Sequence, residues 1–91
     1  MFYVITYDIP SDKRRKKIAN LLEGYGRRVQ YSVFECSLSP KQYRELQQRL
    51  QQRIEPQEDS IRFYPLTQHV LHQIEAWGDP PPFEHQGSTI I

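Results

Sequence analysis

From Met1 to Ile9 the chain alternates as a β-strand does, with Tyr3, Ile5 and Tyr7 on one face and Phe2, Val4 and Thr6 on the other, leading to Asp8. Both faces carry apolar residues. A strand covered by helices on one side only would leave its second face wet, so that face should be covered by something else. The period then changes. Ser11 fits a helix N-cap, Asp12 suits the positive end of the helix dipole, and Ile18, Leu21, Leu22 and Tyr25 recur at helical spacing until Gly24 and Gly26 stop the run. Projecting the apolar stripe back from Ile18 reaches Arg14 and Arg15, whose stems should lean toward the strand end that bears Asp8. Lys13, Lys16 and Lys17 should face solvent.

Arg28 to Leu38 is a second extended run with an imperfect alternation: Val29, Tyr31 and Val33 keep one face, while Phe34, Cys36 and Leu38 are apolar on the other. A bulge or break near Ser32, or two buried faces, would explain this. Ser39-Pro40 opens a second helix, with Ser39 and Gln42 spaced as a capping box, and Tyr43, Leu46, Leu50 and Ile54 forming its buried stripe. Glu55-Pro56 ends it. Ser60 to Leu66 reads as a further strand, with Ile61 and Phe63 opposite Arg62 and Tyr64 and with Pro65 marking an edge or a strand end, and Gln73 to Trp77 is a shorter strand candidate. If the run from Arg28 to Leu38 divides near Ser32, the order becomes β-α-β-β-α-β, an α+β fold of ferredoxin-like type. Residues 1–78 read as one domain. Residues 79–91 read as a proline-rich extended tail whose Ile90-Ile91 tip is suited to adding a strand to a partner's sheet.

Ninety-one residues, 37% hydrophobic, make one small domain that buries roughly 60 to 65% of its unfolded surface, a marginal core that oligomerisation commonly supplements. The single cysteine, Cys36, excludes an intrachain disulfide, and neither a signal-peptide pattern nor a long apolar run is present, so a reducing cytoplasm and no membrane association are expected. The net charge of +1 conceals an asymmetry. Residues 1 to 30 hold seven Lys or Arg against Asp8, Asp12 and Glu23, whereas the remainder holds five against eight acids. A regional excess of this kind marks a face that takes a polyanion.

Asp8 has two readings on its residues alone: an acid closing the turn into the helix at Ser11, or a ligand for a hydrated divalent cation. The Lys13 to Lys17 run is either a solvated helix face or, with Arg27 and Arg28, a phosphate-binding surface. His69 and His72, even with His85, make a weak zinc set because Cys36 is remote and His85 lies in the tail. Ser32 and Ser37 have no triad-like context. Tyr31 and Phe34 read more readily as core or interface residues than as base-stacking platforms.

Four blocks at suitable distances give the chain a more specific likeness: Tyr7-Asp8-Ile9 with Asp12, Arg14 and Arg15; Gly24-Tyr25-Gly26; Gln30-Tyr31-Ser32-Val33-Phe34-Glu35; and Asp59-Ser60-Ile61-Arg62-Phe63-Tyr64-Pro65-Leu66. Together they resemble the small CRISPR-associated Cas2 proteins. The resemblance implies a ferredoxin-like protomer with an antiparallel sheet, pairing as a homodimer through its sheets, with an extra C-terminal strand exchanged between subunits. It implies metal-dependent endonuclease activity, of RNA in the first instance, within spacer acquisition, or alternatively a non-catalytic architectural role holding protospacer DNA for the Cas1 integrase. It implies that Asp8 is the catalytic and metal-binding residue, with Mg²⁺ the expected ion and Mn²⁺ the second choice. Tyr7, Arg15, Arg28 and Phe34 fall on family positions for substrate contact, and Lys17 stands where some relatives carry arginine. With Arg14 and Arg27 they form the expected nucleic-acid-binding set. The partners so implied are a second copy, Cas1, and RNA or double-stranded DNA.

Overall fold

The computed structural model describes residues 1–78, so the expected extended tail and exchanged strand lie outside the described residues. The elements run β1 (Phe2–Asp8), α1 (Asp12–Glu23), β2 (Arg27–Gln30), β3 (Val33–Ser37), α2 (Pro40–Gln51), β4 (Ser60–Leu66) and α3 (Gln68–Leu71). The sheet order is β2-β3-β1-β4 with antiparallel neighbours throughout, the α+β, ferredoxin-like arrangement expected from the pattern. The long second run does divide: Tyr31 and Ser32 turn between β2 and β3, and the register also slips between Arg28 and Gln30. That slip explains the imperfect alternation.

β1 lies between β3 and β4, and its helix-side face enters the core. Tyr3, Ile5 and Tyr7 join Cys36 and Phe34 of β3, Ile18 and Leu22 of α1, and Leu46 and Leu50 of α2 in one buried cluster. Fully burying each of the larger aliphatic side chains contributes about 1.5–3 kcal/mol. Tyr43 of α2 stacks on Tyr3 at 4.1 Å between ring centroids and meets the edge of Phe63 at 5.7 Å, tying α2 to both β1 and β4. The α2 capping box forms as its spacing predicts, with Gln42 N donating to Ser39 Oγ and Ser39 N donating to Gln42 Oε1. Burial pushes the Cys36 thiol up to about 11, so it stays protonated and behaves as a core residue.

On the opposite face of the sheet, Val4, Thr6 and Val33 are only half-buried and Tyr64 is exposed. Glu35 lies on this face too, opposite Arg27, and partial desolvation holds its carboxyl above the usual range while Arg27 acts in the other direction. The covering that the pattern of β1 calls for is therefore incomplete among the described residues.

The strand expected over Gln73–Trp77 does not form. Thr67 instead caps a short helix by accepting from Val70 N, the chain continues with Gln73 N donating to Val70 O and Ile74 N to Leu71 O, and Leu71 is buried. A local cap and a buried leucine outweigh the weak alternation of Ile74 and Ala76. Trp77 is left 90% exposed.

Gly26, just before β2, is the most tightly packed of the described glycines: a Cβ there would collide with the Glu35 carbonyl oxygen and Cys36 Sγ. Gly26→Ala should lower the unfolding free energy by about 1–3 kcal/mol, since β2 must move off β3. Urea unfolding checks this, and an unchanged midpoint would refute the close approach.

Candidate nucleic-acid interface

At the end of β1 successive side chains diverge. Tyr7 turns to the helix side and is buried, whereas Asp8, paired in register with Ser60 of β4, is exposed on the outer side. The turn that follows needs no help from Asp8, because Ser11 Oγ accepts from Arg14 N and caps α1 itself. Among the described residues the Asp8 carboxylate makes no hydrogen bond or ion pair, so the turn-closing reading is not realised.

The two arginines of the first helical turn are both engaged. Arg14 reaches across to the loop before β4, where Nε donates to Asp59 Oδ2 at 2.8 Å and Nη2 donates to Asp59 Oδ1 at 3.0 Å and Glu58 Oε1 at 3.0 Å. Asp59 is a buried carboxylate with no exposed side-chain surface, and it also accepts from Glu55 N at 2.8 Å. The Arg14 hydrogen bonds hold the Asp59 carboxyl below its usual range, and Asp59 in turn raises the Arg14 guanidinium. Arg15 is as fully occupied: Nη1 donates to Ile9 O at 2.8 Å, Nε to Tyr31 Oη at 3.1 Å, and Nη2 to Asp12. Its guanidinium is raised chiefly by the Asp12 hydrogen bond and then by Tyr31.

Arg28 differs in kind. Its guanidinium carbon lies 5.4 Å from the Phe34 ring centroid and 5.9 Å from that of Tyr31, yet none of its N–H groups is hydrogen-bonded among the described residues. Cation–π contacts orient the group while leaving its donors free for an anion. Lys13, Lys16 and Lys17 are exposed along α1, as the helical pattern predicts, and Arg27 is exposed beside Glu35. Phe34 is fully buried, so it can act on a ligand only through the Arg28 it supports. Tyr7, almost as buried, reaches outward only by a long 3.4 Å hydrogen bond to Tyr31 O.

Tyr31 departs from its expected place. It is 69% exposed at the tip of the β2–β3 turn, with the guanidiniums of Arg15 and Arg28 each 5.9 Å from its ring centroid. Arg15, Arg28 and Tyr31 share a cleft of about 390 Å³ with Tyr7, Asn20 and Glu23. The imperfect alternation around Ser32 is the one sign in the sequence that Tyr31 sits in a turn rather than on a buried strand face. No group of three or more His, Cys, Asp or Glu side chains is arranged to hold a metal among the described residues, and at this end of the sheet Asp8 is a carboxylate with no hydrogen-bond or ion-pair partner among them. A carboxylate supplemented by water suits Mg²⁺, which keeps much of its hydration shell.

The family model of CRISPR associated protein Cas2 matches residues 1–74. The chain belongs to the Cas2 family. A CRISPR-associated endoribonuclease Cas2 of Synechocystis sp. is 60% identical over 98% of this chain and 97% of its own length. The crystal structure of Streptococcus pyogenes Cas2 superposes with a TM-score of 0.78 at 40% identity, covering 86% of this chain and all of that one. A chain of a solved partial Cas6-RT-Cas1–Cas2 complex gives a TM-score of 0.73 at 39% identity, covering 82% of this chain and 88% of that one. Membership of Cas2 accounts for the four sequence blocks. It does not by itself assign a task to each basic side chain, which comes from the contacts above.

The Arg14–Asp59 pair has a pH signature. Because the folded-state pKa of Asp59 is depressed below its ordinary 3.8, the stability it contributes is complete above that value and is lost as pH falls through the lower, folded-state value. Asp59→Asn should therefore destabilise the protein at neutral pH and remove part of the acid-induced loss of stability seen in the wild type. Thermal melts from neutral pH down to about pH 2 test this against the ordinary carboxylate range; parallel curves for the two proteins would contradict it.

Proposed function

We propose that this Cas2 protein works as a homodimer in CRISPR adaptation, binding nucleic acid and acting as a metal-dependent endoribonuclease. The observation that carries the reading is the state of Asp8: exposed at the end of the central strand and without an ion-pair partner among the described residues, while Arg14 and Arg15 are engaged elsewhere. A carboxylate held in that state is stable only in contact with water or a cation.

Asp8 lies on the same outer side of the sheet as Val4, Thr6 and Val33, the half-buried residues that leave the face incompletely covered. Pairing two chains through this face buries those residues and brings two copies of Asp8 toward a common axis. The pair would hold one Mg²⁺, or Mn²⁺, together with water. When bound, such an ion polarises a phosphoryl oxygen and lowers the pKa of the attacking water. Arg28 and Lys17 supply positive charge for phosphates, while Arg15 fixes the Ile9 carbonyl and so holds the turn that follows Asp8. Recognition of this kind is salt-sensitive and largely independent of sequence. A nucleic-acid-binding chain whose single cysteine has no partner for an intrachain disulfide fits a reducing cytoplasm, and among the described residues no helix is long and apolar enough to cross a membrane.

A second reading, an architectural subunit that holds duplex DNA for Cas1, is favoured by the absence of a group of three or more metal-ligating side chains among the described residues and by the likeness to a chain in a Cas1–Cas2 complex. Asp8→Asn separates the two. With RNA and DNA substrates in Mg²⁺, Mn²⁺ or chelator, the endonuclease reading expects Asp8→Asn to lower cleavage by about 100-fold or more, the scale on which catalytic groups act. Because the side chain is exposed and unpartnered, unfolding free energy should stay within about 0.5 kcal/mol. Full cleavage by the variant would overturn the catalytic assignment, and full spacer acquisition by a cleavage-dead variant would favour the architectural one.

A further inference from the structure

We propose that Tyr31 is a stacking platform for an unpaired nucleobase, with Arg28 taking an adjoining phosphate. The inference rests on the nucleic-acid reading above and adds a contact to the base itself, beside the contacts to phosphate that the basic side chains supply.

Turns are normally made of small or polar residues, and a tyrosine 69% exposed at a turn tip does little for the fold. Its setting is nonetheless well ordered. Tyr31 Oη accepts from Arg15 Nε at 3.1 Å, Arg15 is itself anchored to Ile9 O, and the Tyr31 carbonyl accepts from Tyr7 Oη. The Tyr31 ring is therefore held from its hydroxyl and from its backbone before any ligand arrives, which reduces the ordering cost of binding. Two guanidinium carbons lie over the ring, each 5.9 Å from its centroid, so its surroundings are cationic, while the residue as a whole remains 69% exposed.

These groups match the two chemical parts of a nucleotide. The aromatic face takes a base, and stacking of this kind is tolerant of sequence because every base presents a π-face. The Arg28 donors, unoccupied among the described residues, take a phosphate in bidentate fashion. Within a continuous duplex both faces of each base are covered by neighbouring pairs, so an aromatic platform selects unstacked bases. The cleft of about 390 Å³ beside the ring provides the volume, and Asn20 and Glu23 on its wall provide hydrogen-bonding groups for a base edge.

The test compares wild type, Tyr31→Phe and Tyr31→Ala as full-length chains, using fluorescence anisotropy with a short single-stranded RNA and with a blunt duplex of the same sequence. The same single strand carrying 2-aminopurine reports stacking directly through quenching. Tyr31→Ala should weaken single-strand binding by about 5- to 100-fold and abolish the quenching attributable to the platform, while changing duplex affinity by less than about twofold. Tyr31→Phe keeps the ring and loses only the hydroxyl contact to Arg15, so it should stay much closer to wild type than Tyr31→Ala in both measurements. The proposal is overturned if Tyr31→Ala retains single-strand affinity, if it loses single-strand and duplex affinity equally, or if Tyr31→Phe falls as far as Tyr31→Ala, which would make the hydroxyl contact to Arg15 the operative feature. A wild type that binds neither ligand would remove the wider nucleic-acid reading and the platform with it.

Discussion

The ion pair between Arg14 and Asp59 sets the geometry on which the rest of this end of the molecule depends. It joins side chains 45 positions apart, linking the first turn of α1 to the loop that launches β4. A carboxylate with no exposed surface is tolerable only when its oxygens are satisfied, and here Arg14 supplies two parallel N–H groups while Glu55 N supplies a third donor. The residue after Asp59 is Ser60, which pairs with Asp8. The register of the β1–β4 ladder, and hence the place where Asp8 leaves the sheet, is thus braced by a pairing remote from Asp8 in sequence.

That brace divides the basic side chains by task. A run of five cations on α1 looks uniform in sequence, but the fold uses its members differently. Arg14 is neutralised by two carboxylates and belongs to the framework. Arg15 is an organiser, joining the Ile9 carbonyl, Asp12 and Tyr31 through one planar group, a task that lysine, with a single ammonium, would not reproduce. Arg28, by contrast, is steadied by aromatic faces that accept no proton, so its hydrogen-bonding capacity remains for a ligand. Clustering of charge therefore does not identify which cation keeps its donors free for a ligand.

Local physics makes most of the fold readable. Alternation in β1, the Ser39–Gln42 capping box and the break near Ser32 each rest on neighbours within a few residues, and each appears in the structure. The stretch after β4 carries competing local signals, a weak alternation against a Thr67 cap, and the burial of Leu71 decides for the helix over the expected strand. The site is less readable for a related reason. Asp8 and Arg28 stand out as residue types, but that Arg14 belongs to Asp59 depends on an ion pair between distant segments that no periodicity announces. Tyr31 reads as a buried strand residue because its flanking residues look like one continuous strand, whereas the turn carries its ring out of the core. Likeness to Cas2, resting on four separated blocks, is accessible because it sums over the whole chain.

The central claim is that framework and ligand-facing arginines are distinct, and the salt dependence of nucleic-acid affinity tests it most directly. For each phosphate that the protein no longer neutralises, the slope of log K against log salt falls by about 0.7 to 0.9. Arg28→Gln should show that reduction with an unchanged unfolding midpoint, whereas Arg14→Gln, measured where it remains folded, should keep the wild-type slope and unfold earlier. The reverse assignment, a reduced slope for Arg14→Gln and an unaltered one for Arg28→Gln, would contradict the account.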